Sequence, residues 1–218
     1  MFFKNRFDAA AQLAPLLNKY KHQAAVIMAI PRGGVPIGYY LARYLDLPLD
    51  LLMAKKLGHP ANPEYAIGAV SLEGSIAEDC FDIPEKYILD ETKRIREQLK
   101  LRYKQFMGDK EPVDIKGRIV IVTDDGIATG RTILSVIKIL RNKQPAKIVV
   151  AVPVSSEKAA ERIRTAAERI RTVVDEFICL QTPYPFFAIG NFYEDFSQVE
   201  DDEVIQLLQE LKAMDKVG

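Results

Sequence analysis

Short, uninterrupted apolar runs alternate along this chain with longer stretches whose apolar residues recur every three or four positions. No other feature constrains the fold as much. Residues 24–30 (AAVIMAI), 118–123 (RIVIVT) and 147–152 (KIVVAV) are the clearest runs. They have strand length and no polar alternation, as expected of strands covered on both faces. Residues 49–55, 66–72 and 173–180 read as further strands. Helical spacing marks residues 7–20, 35–45, 84–107, 132–142, 157–170 and 201–216. Pro84 suits a first helical turn, where a missing N–H forfeits no intrahelical bond. The last helix has Asp201, Asp202 and Glu203 at its start and Lys212 and Lys216 near its end, as the helix dipole favours. This order of elements predicts an α/β fold, a mostly parallel sheet with helices on both faces.

At 218 residues, the chain reads as a single domain over residues 1–218, with 48% hydrophobic and 28% charged residues. The formal net charge of zero argues against a partner held by bulk electrostatics, such as duplex nucleic acid or an anionic membrane. Cys80 and Cys179 are the only cysteines, too few for a four-cysteine zinc site or a disulfide scaffold. The N-terminus MFFKNRFDAA lacks a signal-peptide core, and no apolar run approaches the length of a membrane span. The expected compartment is the cytoplasm.

In sheets of this kind ligands sit beyond the carboxyl ends of the strands. Three strand ends there offer anion or polyol chemistry. After the first comes Pro31-Arg32-Gly33-Gly34, after the second Lys55-Lys56 and a loop with Gly58, Pro60 and Pro63, and after the fourth VIVTDDGIATGRT, residues 120–132. The segment 126–132 joins a strand to a helix, so successive N–H groups and the helix N-terminus can converge on one anion. Thr129 and Thr132 add hydroxyl donors, and Gly130 permits close backbone approach. Asp124 and Asp125 would repel a phosphate but suit a vicinal diol. A sugar with a phosphate at one end satisfies both halves. Gly130 is followed by Arg131 rather than Lys, so this is not a Walker loop, and no G-x-G-x-x-G occurs. Arg32 either caps a surface turn or meets an anion; the two glycines after it favour the second.

VIVTDDGIATGRT resembles the signature of the type I phosphoribosyltransferases, which bind 5-phosphoribosyl 1-pyrophosphate. The resemblance assigns Asp124 and Asp125 to the ribose hydroxyls, and Ala128, Thr129, Gly130, Arg131 and Thr132 to the 5-phosphate. PRGG is similar to the family's pyrophosphate loop, with Arg32, Gly33 and Gly34 as its binding residues and a cis bond between Pro31 and Arg32. Lys55 and Lys56 resemble a basic pair preceding a mobile loop, here residues 57–65. LGHPANPEYAIGAV and PFFAIGNFYEDFSQV are similar to a bacterial branch of predicted phosphoribosyltransferases. The implied sheet order is 3-2-1-4-5-6 with the third strand antiparallel, a small hood from residues 181–200 and a helical insertion at about 84–107.

The implied reaction is transfer of the phosphoribosyl group to a nitrogen acceptor, in nucleotide metabolism. Arg32, Lys56, Asp124 and Asp125 are its candidate catalytic residues. Mg2+ would be held mainly by the substrate, with Asp124 or Asp125 as candidate ligands, and relatives imply a homodimer. The alternative is a non-catalytic sensor of phosphoribosyl pyrophosphate or a nucleotide. A hydrolase or phosphotransferase reusing the cradle fits less well, because no dedicated water-activating group stands out. The aromatic residues of 184–196 either stack on an acceptor base, with Phe186 and Phe187 named for that role, or pack as a hood on themselves. Residues 181–196 contain no lysine, and their only charges are Glu194 and Asp195. An acidic hood of that kind favours an amino-bearing acceptor over hypoxanthine or guanine. Two strand-end acids are also expected to cost little stability when replaced by Asn.

Overall fold

The computed structural model describes residues 2–77, 80, 82–169 and 174–214. Ile170, Val173 and Lys216, at the ends of three expected elements, lie outside the described residues. In chain order the elements are α1 (Arg6–Leu13), a 3₁₀ segment (Ala14–Tyr20), β1 (Ala25–Ala29), α2 (Gly34–Leu45), β2 (Leu49–Leu51), β3 (Ala54–His59), β4 (Asn62–Ser71) and β5 (Ser75–Ala77). There follow α3 (Glu85–Met107), β6 (Ile119–Thr123), α4 (Arg131–Arg141), β7 (Lys147–Val154), α5 (Glu157–Arg169), β8 (Glu176–Gln181), a second 3₁₀ turn (Ile189–Phe192) and α6 (Asp201–Met214).

The main sheet runs β2-β1-β6-β7-β8, every pairing parallel. Both its faces are buried, which is why its strands read as continuous apolar runs. Ile27, Ile121 and Val149 face a core shared with α1, α2, α3 and α6, while Val26, Val120, Val122 and Val150 face one shared with α4 and α5. β1 and β6 are direct neighbours, with Ala29 opposite Thr123, so the loops that follow them leave the sheet side by side.

The expected third strand departs from the implied order. Residues 49–55 do not form one strand: Leu52 N–H makes the last bond to β1, to the Ala29 carbonyl at 2.9 Å, and Met53 N–H turns back to the Leu51 carbonyl at 3.2 Å. The chain changes direction there, and β3, β4 and β5 form a separate antiparallel sheet. Residues 57–65, expected as a mobile loop, are strand, turn and strand, closed by the pairing of His59 with Asn62.

Two helices also differ from expectation. The stretch 7–20 splits at Pro15, which has no N–H to donate back along the helix, and continues as 3₁₀. On α1 Arg6 is buried together with Ala9, Ala10 and Leu13, while Phe7, expected on the inner side, is 37% exposed. Pro84 caps α3 from outside, with extended ψ, instead of occupying its first turn.

Candidate active site

The PRGG loop and the acidic pair are in direct contact. A Cβ on Gly33 would stand 2.1 Å from Asp125 Oδ2, and one on Gly34 would stand 2.9 Å from Asp124 Cα and from the Thr123 carbonyl. No other residue fits either place without displacing the acids. The Pro31–Arg32 peptide bond is cis. Gly34 N–H donates to the Ile30 carbonyl at 2.9 Å, so α2 starts immediately beyond β1.

The two acids are not alike. Asp125 is buried and paired with Arg6, whose Nε and Nη2 lie 3.0 and 2.9 Å from its Oδ2. Arg6 Nη1 donates to the Ser197 carbonyl at 2.8 Å, and its guanidinium lies 4.0 Å from the centre of the Phe196 ring. The Tyr193 hydroxyl donates to the Asp125 carbonyl at 2.6 Å. Burial pushes the Asp125 carboxyl upward and Arg6 opposes the shift. Among the described residues Asp124 has no such partner; its Oδ1 accepts only from the Asp125 N–H, at 2.9 Å. Burial, and then the Asp125 charge, push its carboxyl well above the usual carboxylate range. The expectation of two exposed, expendable acids is therefore corrected: Asp125 belongs to a buried ion pair.

The loop from Asp125 to α4 is held from one side. Ser156 Oγ donates to the Ala128 carbonyl at 2.7 Å and Arg162 Nη1 to the Thr129 carbonyl. A trans peptide places C=O and N–H on opposite sides, so the N–H groups of Thr129 and Gly130 point away from α5. Gly130 caps α4 with φ of 71°, a left-handed conformation that glycine adopts at no steric cost. The N–H groups of the first turn of α4, from Arg131, have no carbonyl partner within the helix. Ala128, Thr129 and Arg131 are exposed. The arrangement can take an oxyanion on main-chain donors, with a helix dipole behind it. Thr132 is in the first turn of α4.

The basic groups are distributed differently from expectation. Arg32 Nη1 lies 3.2 Å from both Glu200 Oε2 and Asp201 Oδ1, at the start of α6. Asp201 also accepts from Arg102 at 2.8 Å and from Gln105 at 3.1 Å. Lys55 and Lys56 sit on β3, not in a loop, and successive strand residues face opposite ways. Lys55 reaches Gln98 of α3 at 3.3 Å. Lys56 shares its face with Ala54, which packs on the α4 side of the sheet.

Two cavities flank these loops. One, of about 370 Å3, is bounded by Arg6, Arg32, Gly33, Asp125 and Phe196. The other, of about 590 Å3, lies between the exposed loop residues Ala128, Thr129 and Arg131 and the segment that follows β8. Phe186 and Phe187 both line it. Phe186 also stacks obliquely on Phe192 at 5.2 Å, while Phe187 is 80% exposed. The Tyr184–Pro185 bond there is cis. Glu194 and Asp195 lie elsewhere: their N–H groups pair with the carbonyls of Phe3 and Lys4. Among the described residues the wall of this cavity includes neither acid, so the expected acidic character of the hood is not found there.

Arg6, Tyr193, Ser156 and Arg162 are site residues that sequence reasoning missed. Arg6 left one trace, a charge directly preceding the apolar positions of the first helix. Among the described residues, no group of three or more His, Cys, Asp or Glu side chains could hold a metal, and no helix is long and apolar enough to cross a membrane.

Comparison with known proteins accords with this geometry. The profile of the phosphoribosyl transferase domain matches residues 3–186. A protein of Mycobacterium tuberculosis, provisionally named a phosphoribosyl transferase, is 37% identical over 214 residues, covering 94% of this chain and 46% of that protein. The chain thus spans about half the length of the curated relatives it matches first. A ribose-phosphate pyrophosphokinase of Pyrococcus furiosus is 34% identical over 186 residues, covering 74% of this chain and 64% of that enzyme. The crystal structure of TT1426 from Thermus thermophilus superimposes with a TM-score of 0.83 at 34% identity, over 96% of this chain and 99% of that one.

Proposed function

The chain belongs to the phosphoribosyl transferase domain family, and from that premise we propose that it moves the 5-phosphoribosyl group from 5-phosphoribosyl 1-pyrophosphate to a nitrogen acceptor. The bond from C1 to the pyrophosphate oxygen breaks with its electron pair, and a nitrogen lone pair forms the new C1–N bond. The observation that supports this most is the contact of Gly33 with Asp125 and of Gly34 with Asp124. It brings a cationic loop suited to a leaving pyrophosphate against two carboxylates suited to ribose hydroxyls. The N–H groups from Thr129 to Thr132 would take the 5-phosphate.

Asp124 and Asp125 divide the work in this reading. Arg6 favours the ionised form of Asp125 and holds it in one orientation, as an acceptor for a hydroxyl. Asp124 is the acid left to meet a cation. Mg2+ takes one or two carboxylates together with substrate oxygens and water, so a site offering one carboxylate with no salt-bridge partner among the described residues fits it. When bound, the ion would offset charge on the departing pyrophosphate. Arg32 would add to that neutralisation after exchanging Glu200 and Asp201 for the pyrophosphate. The rest of catalysis is positioning.

The test is calorimetric titration of the protein with phosphoribosyl pyrophosphate and Mg2+, beside a pyrophosphate-release assay. Saturable binding that Asp124→Asn weakens is expected. Failure of the sugar pyrophosphate to bind overturns the reading. A parallel arm with ribose 5-phosphate and ATP separates it from the activity named for the Pyrococcus relative, and binding without pyrophosphate release under any acceptor would instead indicate a sensor.

A further inference from the structure

Resting on that reading, we propose that Ser156 and Arg162, at the start of α5, are positioning residues that set the grip on the 5-phosphate from behind the loop. Three successive carbonyls of the loop are taken by these two residues. Ile127 C=O accepts from Ser156 N–H at 2.9 Å, Ala128 C=O from Ser156 Oγ at 2.7 Å, and Thr129 C=O from Arg162 Nη1. The peptide bonds that follow these carbonyls are trans, so each held carbonyl turns the next N–H the other way. The N–H groups so turned are those of Ala128, Thr129 and Gly130. Among the described residues none of the three has a hydrogen-bond partner.

Successive N–H groups left open on one side form a concavity for an oxyanion. An extended segment would alternate its N–H groups between two sides, so the shared direction comes from the anchors behind the loop. Ser156 is suited to the part because it also caps α5: its Oγ accepts from the Ala159 N–H at 3.1 Å. That bond occupies a lone pair and leaves the single hydroxyl proton for the Ala128 carbonyl. Arg162, from the second turn of the same helix, adds a charged donor to the next carbonyl. The loop is thereby aimed before any ligand arrives, and the binding of the phosphate is not spent on ordering it. The pyrophosphate loop, residues 31–34, has none of these anchors, so the effect belongs to one end of the substrate.

Calorimetry with ribose 5-phosphate and, separately, with magnesium pyrophosphate reads the two ends apart. Ser156→Ala and Arg162→Met are each expected to weaken ribose 5-phosphate about tenfold, the effect of one misaimed charge-assisted bond, and to change magnesium pyrophosphate less than about twofold. Ser156→Thr keeps the hydroxyl and should restore the affinity. The 31P titration of bound ribose 5-phosphate, expected below the free monoester value of about 6, should move back upward in Ser156→Ala, which a mere loss of stability would not cause. The Arg162→Met loss should persist at about 1 M salt, where a through-space charge effect is screened. If Ser156→Ala does not fold, Arg162→Met at high salt decides. Parent-like ribose 5-phosphate binding in the variants, or an equal loss of both ligands, overturns the positioning role. If the parent binds neither ribose 5-phosphate nor phosphoribosyl pyrophosphate, the reading beneath falls too; if it binds both and the variants match it, only the positioning role falls.

Discussion

Arg6 and Asp125 are 119 positions apart in the chain and 2.9 Å apart in the fold. Each is the other's charge partner in a place that water scarcely reaches. Removing one side of a buried pair strands the other, which typically costs about 3–5 kcal/mol. Arg6→Met and Asp125→Asn are each expected to destabilise the protein by about that much, or roughly 10 °C of melting temperature in a chain of this size. The double variant should recover part of the loss. Thermal denaturation of the four proteins checks this; additive losses would show that the pair is not coupled.

Asp124 should behave in the opposite way. Its carboxyl binds a proton more tightly in the folded chain than in the unfolded one. Unfolding therefore releases a proton between the ordinary carboxylate range and the raised value, and stability falls as pH rises through that interval. Below it, both states are protonated and the penalty is absent. Asp124→Asn should thus raise the melting temperature at neutral pH, with the gain shrinking toward the ordinary carboxylate range, about pH 4. A melting series against pH for both proteins tests the sign. A variant less stable than the parent at neutral pH would refute it.

Arg32 is shared by Glu200 and Asp201, and an incoming pyrophosphate has to compete with them. Ion pairs of this exposure contribute up to about 1 kcal/mol, so Glu200→Gln with Asp201→Asn should tighten magnesium-pyrophosphate binding by up to ~5-fold. Calorimetry with pyrophosphate and Mg2+ gives the number. Unchanged or weaker binding would mean that the two acids do not restrain Arg32.

Gly33→Ala forces a methyl group into the Asp125 carboxylate. Relief requires the acid or the loop to move, and either movement disturbs the Arg6 pair. The expected cost is about 1–3 kcal/mol, the usual range for overpacking, with loss of sugar-pyrophosphate binding. A structure or a binding curve indistinguishable from the parent would show that the loop has more room than its geometry implies.

The main sheet was legible in the sequence because its strands are buried on both faces and therefore have no polar alternation to confuse with a helix. The acidic pair and its glycine loops were legible because their chemistry is local, set within a few residues of a strand end. What could not be read was non-local. Nothing near Arg6 announces Asp125, and nothing near Ser156 announces the Ala128 carbonyl. The break at Leu52 and Met53 also left no mark, since both residues are apolar and buried like their neighbours. Glu194 and Asp195 misled for the same reason: their positions in the chain suggested a cavity wall, but their main chain pairs with Phe3 and Lys4.

The pairing of Phe3 and Lys4 with residues 192–195 also sets an order of assembly. Arg6 is made early and Asp125 midway, but Tyr193 and the Ser197 carbonyl emerge from synthesis only after the last strand of the sheet. Arg6 and Ser197 are 191 positions apart, among the longest closures in the molecule. Contacts of that span form late, because loop entropy opposes them until the rest of the chain is in place. A nascent or truncated chain ending at β8 would have every strand and both glycine loops, yet its acidic pair would lack the roof that holds Arg6. The Arg6–Asp125 pair is in this way completed only by the segment that follows the sheet.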